Sequence, residues 1–127
     1  MGFFFVALIG WYYLIKKGEK LMEQQTKWYQ VDLYIGLLDP DDFSQHFTIN
    51  EAVDKITNLI GDCTIIPCIG SCTHISGIRI NLNTLKVVKF IDYHPEQFMD
   101  KVKTLKGIFN QYDILMNVIE CESFKII

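Results

Sequence analysis

Apolar and polar positions follow two kinds of pattern between residues 30 and 125. Val31, Leu33 and Ile35 alternate with more polar residues, which is the period-two pattern of a strand with one buried face. Residues 48–60 begin with the capping-box sequence TINE and continue with apolar residues at helical spacing. Tracts of these two kinds follow one another in the order β-α-β-β-α-β, which predicts a small α+β domain.

The remaining tracts complete that order. Residues 63–72 are β-branched and apolar around Pro67, which predicts an edge strand or a bulge. Residues 78–90 predict the next strand, and its apolar phase changes near Thr84, which predicts a bulge or bend. Pro95 is suited to the first turn of a second helix, whose apolar stripe ends near Phe109. Residues 113–124 predict the last strand.

Two helices that each join strands should pack on one face of a four-stranded antiparallel sheet. With right-handed crossovers, this arrangement is the ferredoxin-like sandwich. The other face of the sheet is partly apolar, so we expect it to be solvated or covered by a second subunit. The residues predicted on that face are Tyr34, Arg79, Asn81, Leu115, Asn117 and Ile119.

The composition narrows the class of protein. The chain has 127 residues, of which 50% are hydrophobic and 21% are charged, and these values are typical of one globular domain. The net charge is -3 and the lysines are scattered, so the sequence argues against a nucleic-acid partner, which requires clustered cations. No motif in the sequence implies a cofactor.

The cysteines are spaced unlike those of a zinc module. Cys68 and Cys72 are four residues apart, which on one straight strand is too far for a disulfide bond. The paired short spacings of zinc ligands are missing, although His74 lies close by in the sequence. We therefore predict reduced, mostly buried thiols and a cytoplasmic location.

Residues 1–29 form an apolar N-terminal segment that we separate from the domain of residues 30–127. The run from Gly2 to Ile15 is shorter than the roughly 20 residues that a membrane-spanning helix needs. Three hypotheses remain. Residues 1–21 could be upstream sequence, because codons for the peptide before Met22 can spell a ribosome-binding site. They could instead be a weak membrane anchor, with Lys16 and Lys17 at the membrane surface. The third hypothesis is a helix packed on the domain or on a partner.

Three short segments resemble an uncharacterised family of small bacterial and phage-encoded domains. These segments are Asp32–Gly36 (DLYIG), Cys72–Gly77 (CTHISG) and Phe109–Ile114 (FNQYDI). The family closes with a Glu-Ser pair where this chain has Tyr112-Asp113. The resemblance covers residues 30–125 and implies a fold and a phage or prophage setting, but no established reaction.

Two histidines suggest one enzymatic alternative. His46 and His74 each begin a His-x-(Thr/Ser) motif, and paired imidazoles act as general acid and base in two-histidine phosphoesterases. The motifs are closely spaced, however, and Thr48 is already predicted to cap a helix. The non-catalytic alternative is that both histidines have structural roles.

Acidic and amide side chains give weaker signals. Asp39, Asp41 and Asp42 offer oxygen ligands for a divalent cation, but a solvated loop that complements the dipole of the following helix explains them better, and we predict no metal. Asn110 and Gln111 suit either a ligand or a helix end.

The sequence favours a non-enzymatic binding or interaction module. Its expected partners are a small molecule, a host protein or a second copy held through the sheet face or an edge strand; the alternatives are a two-histidine phosphodiesterase and a membrane-tethered regulator. The residues predicted to bind a ligand or partner are Tyr34, His74, Arg79, Asn81, Asn110 and Gln111.

Overall fold

The structure of the chain is a computed structural model that describes residues 27–127. Strand β1 spans Tyr29–Gly36 and helix α1 spans Ile49–Ile60. Strands β2 (Thr64–Thr73) and β3 (Arg79–Ile91) form a hairpin. A 3-10 turn over Pro95–Phe98 leads into helix α2 (Met99–Ile108), and strand β4 spans Leu115–Glu120.

The four strands form one sheet in the order β2-β3-β1-β4. Every neighbouring pair is antiparallel: β1 pairs with β3 on one side and with β4 on the other, and β2 pairs with β3. This order and the intervening helices are those of the ferredoxin-like sandwich, so the predicted fold is confirmed. Strand β2 lies at an edge, as Pro67 predicted.

Both helices cover the same face of the sheet. Val31, Leu33 and Ile35 alternate on β1 and are fully buried, together with Leu85 and Val87 on β3, to which Ile35 and Leu33 are paired. Residues of both helices belong to the same core. The largest fully buried side chains are Phe98, Leu33, Ile35, Ile56, Leu85, Ile91 and Leu105.

The ends of the helices follow the predicted chemistry. The Thr48 hydroxyl accepts the backbone N–H of Glu51, and the Glu51 carboxylate accepts the backbone N–H of Thr48. Helix α1 then ends at Gly61, whose φ of 80° a residue with a side chain rarely adopts. Pro95 lies in the first turn of the 3-10 segment, where its missing N–H costs no hydrogen bond.

Strand β3 has no bulge, contrary to the expectation from its apolar phase. Its pairing with β2 runs without interruption from Arg79 to Val88. The apolar phase changes because the hairpin extends beyond β1 and there packs the opposite face of the strand. Ile80 and Leu82 are half-buried on one face, whereas Leu85 and Val87 are buried on the other.

This register also corrects one part of the predicted open face, by which we mean the face of the sheet without helices. Tyr34 is on that face, paired with Lys86 and Leu115. Arg79 and Asn81, however, alternate in phase with Leu85, so they lie on the opposite side of the strand. The sequence-based assignment was wrong because it followed the polar residues across the apparent phase change.

The thiols are unpaired but more exposed than predicted. All four cysteines are free, Cys68 and Cys72 are exposed, and Cys63 and Cys121 are half-buried. Cys68 and Cys72 are exposed because they lie on the edge strand β2, which has a neighbour on one side only.

The N-terminal hypotheses concern residues outside the described part of the chain. This applies to the start at Met22, to the membrane anchor and to the packed helix. Among residues 27–127, the structure contains no helix that is both long enough and apolar enough to span a membrane.

Candidate functional site

Three segments meet at the end of the sheet where β1 finishes. We call them the acidic loop (residues 37–48, between β1 and α1), the hairpin tip (residues 74–78, between β2 and β3) and the closing loop (residues 109–114, between α2 and β4). Hydrogen bonds join the acidic loop to each of the other two segments. Residues far apart in sequence are thereby brought together at one site.

Asp39 is the centre of the acidic loop. Only 6% of its surface is exposed, so the sequence-based picture of a solvated loop is wrong for this residue, although Asp41 and Asp42 are exposed. The closing loop covers Asp39 and supplies donors for its carboxylate. The Asn110 side-chain amide donates to both oxygens at 2.9 and 3.0 Å, and the backbone N–H of Asp41 donates at 2.8 Å.

These hydrogen bonds lower the pKa values of carboxylates in the acidic loop. The hydrogen bond from Asn110, followed by that from the backbone of Asp41, holds the pKa of Asp39 below its usual range. Hydrogen bonds from the Ser44 hydroxyl and backbone likewise lower the pKa of Asp42. At neutral pH the loop therefore presents ionised carboxylates close to the other two segments.

Asn110 ends helix α2 as well as contacting the acidic loop. Its φ is 49°, and its backbone N–H donates to the carbonyl of Gly107 while that of Gln111 donates to Lys106. This pair of bonds is the Schellman motif, which places a left-handed residue just after a helix. The helix-end interpretation of Asn110 and Gln111 is confirmed, and the same backbone turn aims the Asn110 amide at Asp39.

Gln111 and Tyr112 fasten the closing loop further. The Gln111 side-chain amide donates to the carbonyl of Leu38 at 2.9 Å and to that of Phe109 at 3.1 Å. The Tyr112 hydroxyl donates to the Asp41 carboxylate at 3.1 Å, and this hydrogen bond is the main reason that the pKa of Tyr112 is raised.

Gly36 makes room for this arrangement at the end of β1. A Cβ atom on Gly36 would lie 2.6 Å from a methyl carbon of Leu82 and 2.8 Å from the side-chain oxygen of Gln111. Both distances are below any normal contact, so a larger residue would displace these side chains. The glycine of the DLYIG segment thus lets the Leu82 and Gln111 side chains pack close to the backbone at the end of β1.

His74 ties the hairpin tip to the acidic loop. Its Nδ1 accepts the backbone N–H of Ser76 at 3.1 Å, so its Nε2 carries the proton and donates to the carbonyl of Pro40 at 2.9 Å. The ring also packs against Phe43 with a centroid distance of 4.6 Å. Phe43 has a φ of 61°, which is unusual for a bulky residue and turns its ring towards the hairpin tip.

A cavity of about 180 Å³ lies between the three segments. The acidic loop and β3 supply the apolar side chains of Leu38, Ile80 and Leu82. The polar part of the lining comes mainly from the hairpin tip and the closing loop. The lining residues are Leu38, Pro40, Cys72, Thr73, His74, Ile75, Ile80, Leu82, Gln111, Tyr112 and Asp113.

His46 lies in the acidic loop and His74 in the hairpin tip, and their rings bond to different residues of the acidic loop. The Nε2 atom of His46 is 2.8 Å from an Asp39 carboxylate oxygen, and that of His74 is bonded to Pro40. Acid-base catalysis by the pair would therefore need both contacts to break. The geometry gives the phosphodiesterase alternative no support.

Asp39, Asp42 and His46 are the described residues best placed to hold a metal. One ligand atom from each lies within 4.8 Å of the others. The same atoms already bond to one another and to Asn110, since His46 is also 3.3 Å from Asp42. A cation would have to replace these bonds, so internal hydrogen bonding explains the cluster without one.

The structure brings together only part of the predicted site. His74 and Gln111 line the cavity, and Asn110 supports the loop beside it. Tyr34 lies on the open face with the Lys86 ammonium 5.6 Å from its ring centre, and Arg79 and Asn81 are exposed on the protruding hairpin. The cavity residues that the sequence analysis did not propose are Leu38, Pro40, Cys72, Thr73, Ile75, Ile80, Leu82, Tyr112 and Asp113.

One sequence signal pointed to the missed residues. Ile80 and Leu82 are apolar but out of phase with Leu85 and Val87, and this change of phase marks a second packed surface. Tyr112 and Asp113 had no local signal, because their position over the cavity depends on the end of α2.

Comparison with known proteins gives a likeness of fold. No family model matches the chain, and no curated protein matches it. A phage SAM lyase in complex with S-methyl-5'-thioadenosine superposes with a TM-score of 0.60 at 19% identity, over 73% of this chain and 81% of the lyase chain. A phage SAM lyase in the apo state superposes with a TM-score of 0.57 at 17% identity, over 80% and 95% of the two chains. At these identities the chain shares the fold of the phage lyases, which agrees with the resemblance of its sequence to small phage-encoded domains.

Proposed function

We propose that this chain is a phage- or prophage-encoded, cytoplasmic domain that binds a small molecule in the cavity between the hairpin tip and the closing loop. The observation that carries the proposal is the convergence of three distant segments on one cavity with an apolar floor and a polar rim. Such a combination is typical of ligand sites. The unpaired thiols agree with a reducing compartment.

The size of the cavity limits what it can hold. Its 180 Å³ is below the roughly 300–1,000 Å³ of sites that enclose a whole drug-sized ligand. It therefore encloses one flat or short apolar part of a ligand, and the rest extends across the rim. Adenosine thioethers and sulfonium compounds have such a two-part form, and the phage lyases of the same fold make them the first compounds to test.

The hydrogen bonds favour binding over catalysis. Two cavity side chains that could transfer a proton, those of His74 and Tyr112, both donate to acceptors of the protein. In these positions they hold the walls of the cavity in place. We propose a binding function without turnover.

Isothermal titration calorimetry with the full chain tests this function. S-adenosylmethionine and S-methyl-5'-thioadenosine are titrated separately, and the S-adenosylmethionine sample is analysed afterwards by chromatography for products. We expect saturable binding of at least one compound and recovery of unchanged S-adenosylmethionine. Formation of S-methyl-5'-thioadenosine would replace the binding function with an enzymatic one.

A pair of matched variants locates the binding. Ile80→Phe adds a ring to the cavity wall, so it should weaken binding at least about tenfold, which corresponds to roughly 1.4 kcal/mol. Ile69→Phe makes the same change on the neighbouring strand, at a residue that is 78% exposed and outside the cavity, and should leave binding unchanged. Equal affinities for the two variants would place the ligand elsewhere.

We also propose that the open face contacts a second copy of the chain. Strand β4 places Leu115 and Ile119 there, with 65% and 45% of their surfaces exposed, and β3 adds Phe90 with 42%. Exposed apolar side chains grouped on one face of a sheet are typical of a surface that is covered by a partner.

A further inference from the structure

Hydrogen-bond donors are scarce at the rim of the cavity, although polar side chains are present. The Nε2–H of His74 donates to Pro40, the side-chain amide of Gln111 donates to Leu38 and Phe109, and the hydroxyl of Tyr112 donates to Asp41. Each of these three side chains therefore directs its strongest donor into the protein. The other side chains of the lining that can donate are the Thr73 hydroxyl, which can equally accept, and the Cys72 thiol, which is a weak donor.

The charged side chain in the cavity lining is negative. Asp113 is the one acidic residue of the lining, and no Lys or Arg occurs among the described residues that form it. The backbone N–H of Ser76 donates to Nδ1 of His74, so this ring nitrogen offers no donor to the cavity. Behind the rim, Asp41 adds a second carboxylate through its bond to Tyr112.

We infer that the cavity selects cationic, donor-bearing ligands and discriminates against anionic ones, with Asp113 as the residue that determines this specificity. The inference rests on the proposed function, and it names the class of ligand within it. A sulfonium or ammonium group beside Asp113 gains a favourable charge interaction, whereas a phosphate or carboxylate there meets a like charge and few donors. Within the adenosine compounds, the positively charged sulfonium should therefore bind more tightly than the neutral thioether.

Two ligands that differ in the charge on sulfur test the inference. S-adenosylmethionine and S-adenosylhomocysteine share the adenosine and the amino acid, but only the first carries a sulfonium charge. Asp113 is exposed, so its pair with the sulfonium is partly screened, and we expect calorimetry to show about a two- to fivefold preference for the sulfonium. The preference should shrink when the salt concentration is raised from about 50 to about 500 mM, since the Debye length falls.

Asp113→Asn should remove most of the preference, because the carboxylate that distinguishes a charged from a neutral sulfur is gone. Asp54→Asn is the matched control, because Asp54 is an exposed carboxylate on α1 and does not line the cavity. Far-UV circular dichroism confirms that both variants are folded.

The outcomes separate this inference from the proposed function. Equal binding of both compounds, or a preference that persists in Asp113→Asn, would overturn the specificity of Asp113 and leave a ligand-binding domain. If neither compound binds to the wild-type chain, the proposed function fails, and the inference fails with it. Loss of the preference in Asp113→Asn but not in Asp54→Asn supports both.

Discussion

The left-handed turn at Asn110 allows a sharp test of how the closing loop is built. Asn110→Gly and Asn110→Ala remove the same side-chain amide, and with it the bonds to Asp39 and Asp41. Both variants should therefore be less stable than the wild type. They differ in how well the new residue tolerates a φ of 49° and in how flexible the unfolded chain is.

The difference between the two variants can be estimated from the backbone. Placing an L-residue with a Cβ atom in the left-handed region raises the free energy of the folded state by about 1–2 kcal/mol, whereas glycine adopts this region almost without strain. The more flexible unfolded chain of the glycine variant offsets about 0.4–1 kcal/mol. We therefore expect Asn110→Ala to be less stable than Asn110→Gly by about 0.5–1 kcal/mol.

Urea denaturation followed by circular dichroism measures this difference at neutral pH. In thermal melts, it corresponds to a melting temperature about 3–6 °C lower for the alanine variant, given a domain of about 100 residues. Asn110→Asp is a useful third variant, because aspartate tolerates the left-handed turn but faces Asp39 and Asp41. It should be the least stable of the three at neutral pH and should recover partly in acid.

An alanine variant as stable as the glycine variant would refute this account of the loop. It would mean that the chain does not hold residue 110 in the left-handed conformation in solution. The Schellman end of α2, and with it the position of Tyr112 over the cavity, would then have to be revised.

Two further predictions concern the acidic loop and the open face. Because the pKa of Asp39 is lowered on folding, this residue contributes stability above its ordinary value of 3.8 and loses that contribution as the pH falls through the lowered value. Urea midpoints measured from about pH 6 down to about pH 2 should therefore fall less steeply for Asp39→Asn than for the wild type, and parallel curves would contradict the linkage. For the open face, light scattering should show that the full chain is a dimer and that the Leu115→Lys/Ile119→Lys double variant is a monomer. Ile69→Lys is the control and should remain a dimer, and a monomeric wild type would exclude a second copy as the partner.

Local sequence determined most of the fold. The alternation of Val31, Leu33 and Ile35 and the capping box at Thr48 depend on neighbouring residues only, so they could be read directly and were confirmed. Pro67 likewise predicted an edge strand or a bulge, because a missing backbone donor is tolerated at either, and the structure shows the edge strand. These features, together with the order of the elements, were sufficient to predict the sheet order.

The phase of β3 and the burial of Asp39 were decided by tertiary structure. Whether Ile80 or Arg79 faces the cavity depends on how far the hairpin extends past β1, which no local pattern specifies. Asp39 is in a sequence rich in turn-forming and acidic residues that predicts a solvated loop, but Asn110, 71 residues later, covers it. The cavity has the same origin, since its walls meet only after the sheet has brought the ends of distant elements together. A sequence pattern records which residues can be buried locally, whereas the site depends on contacts between segments that are far apart in the chain.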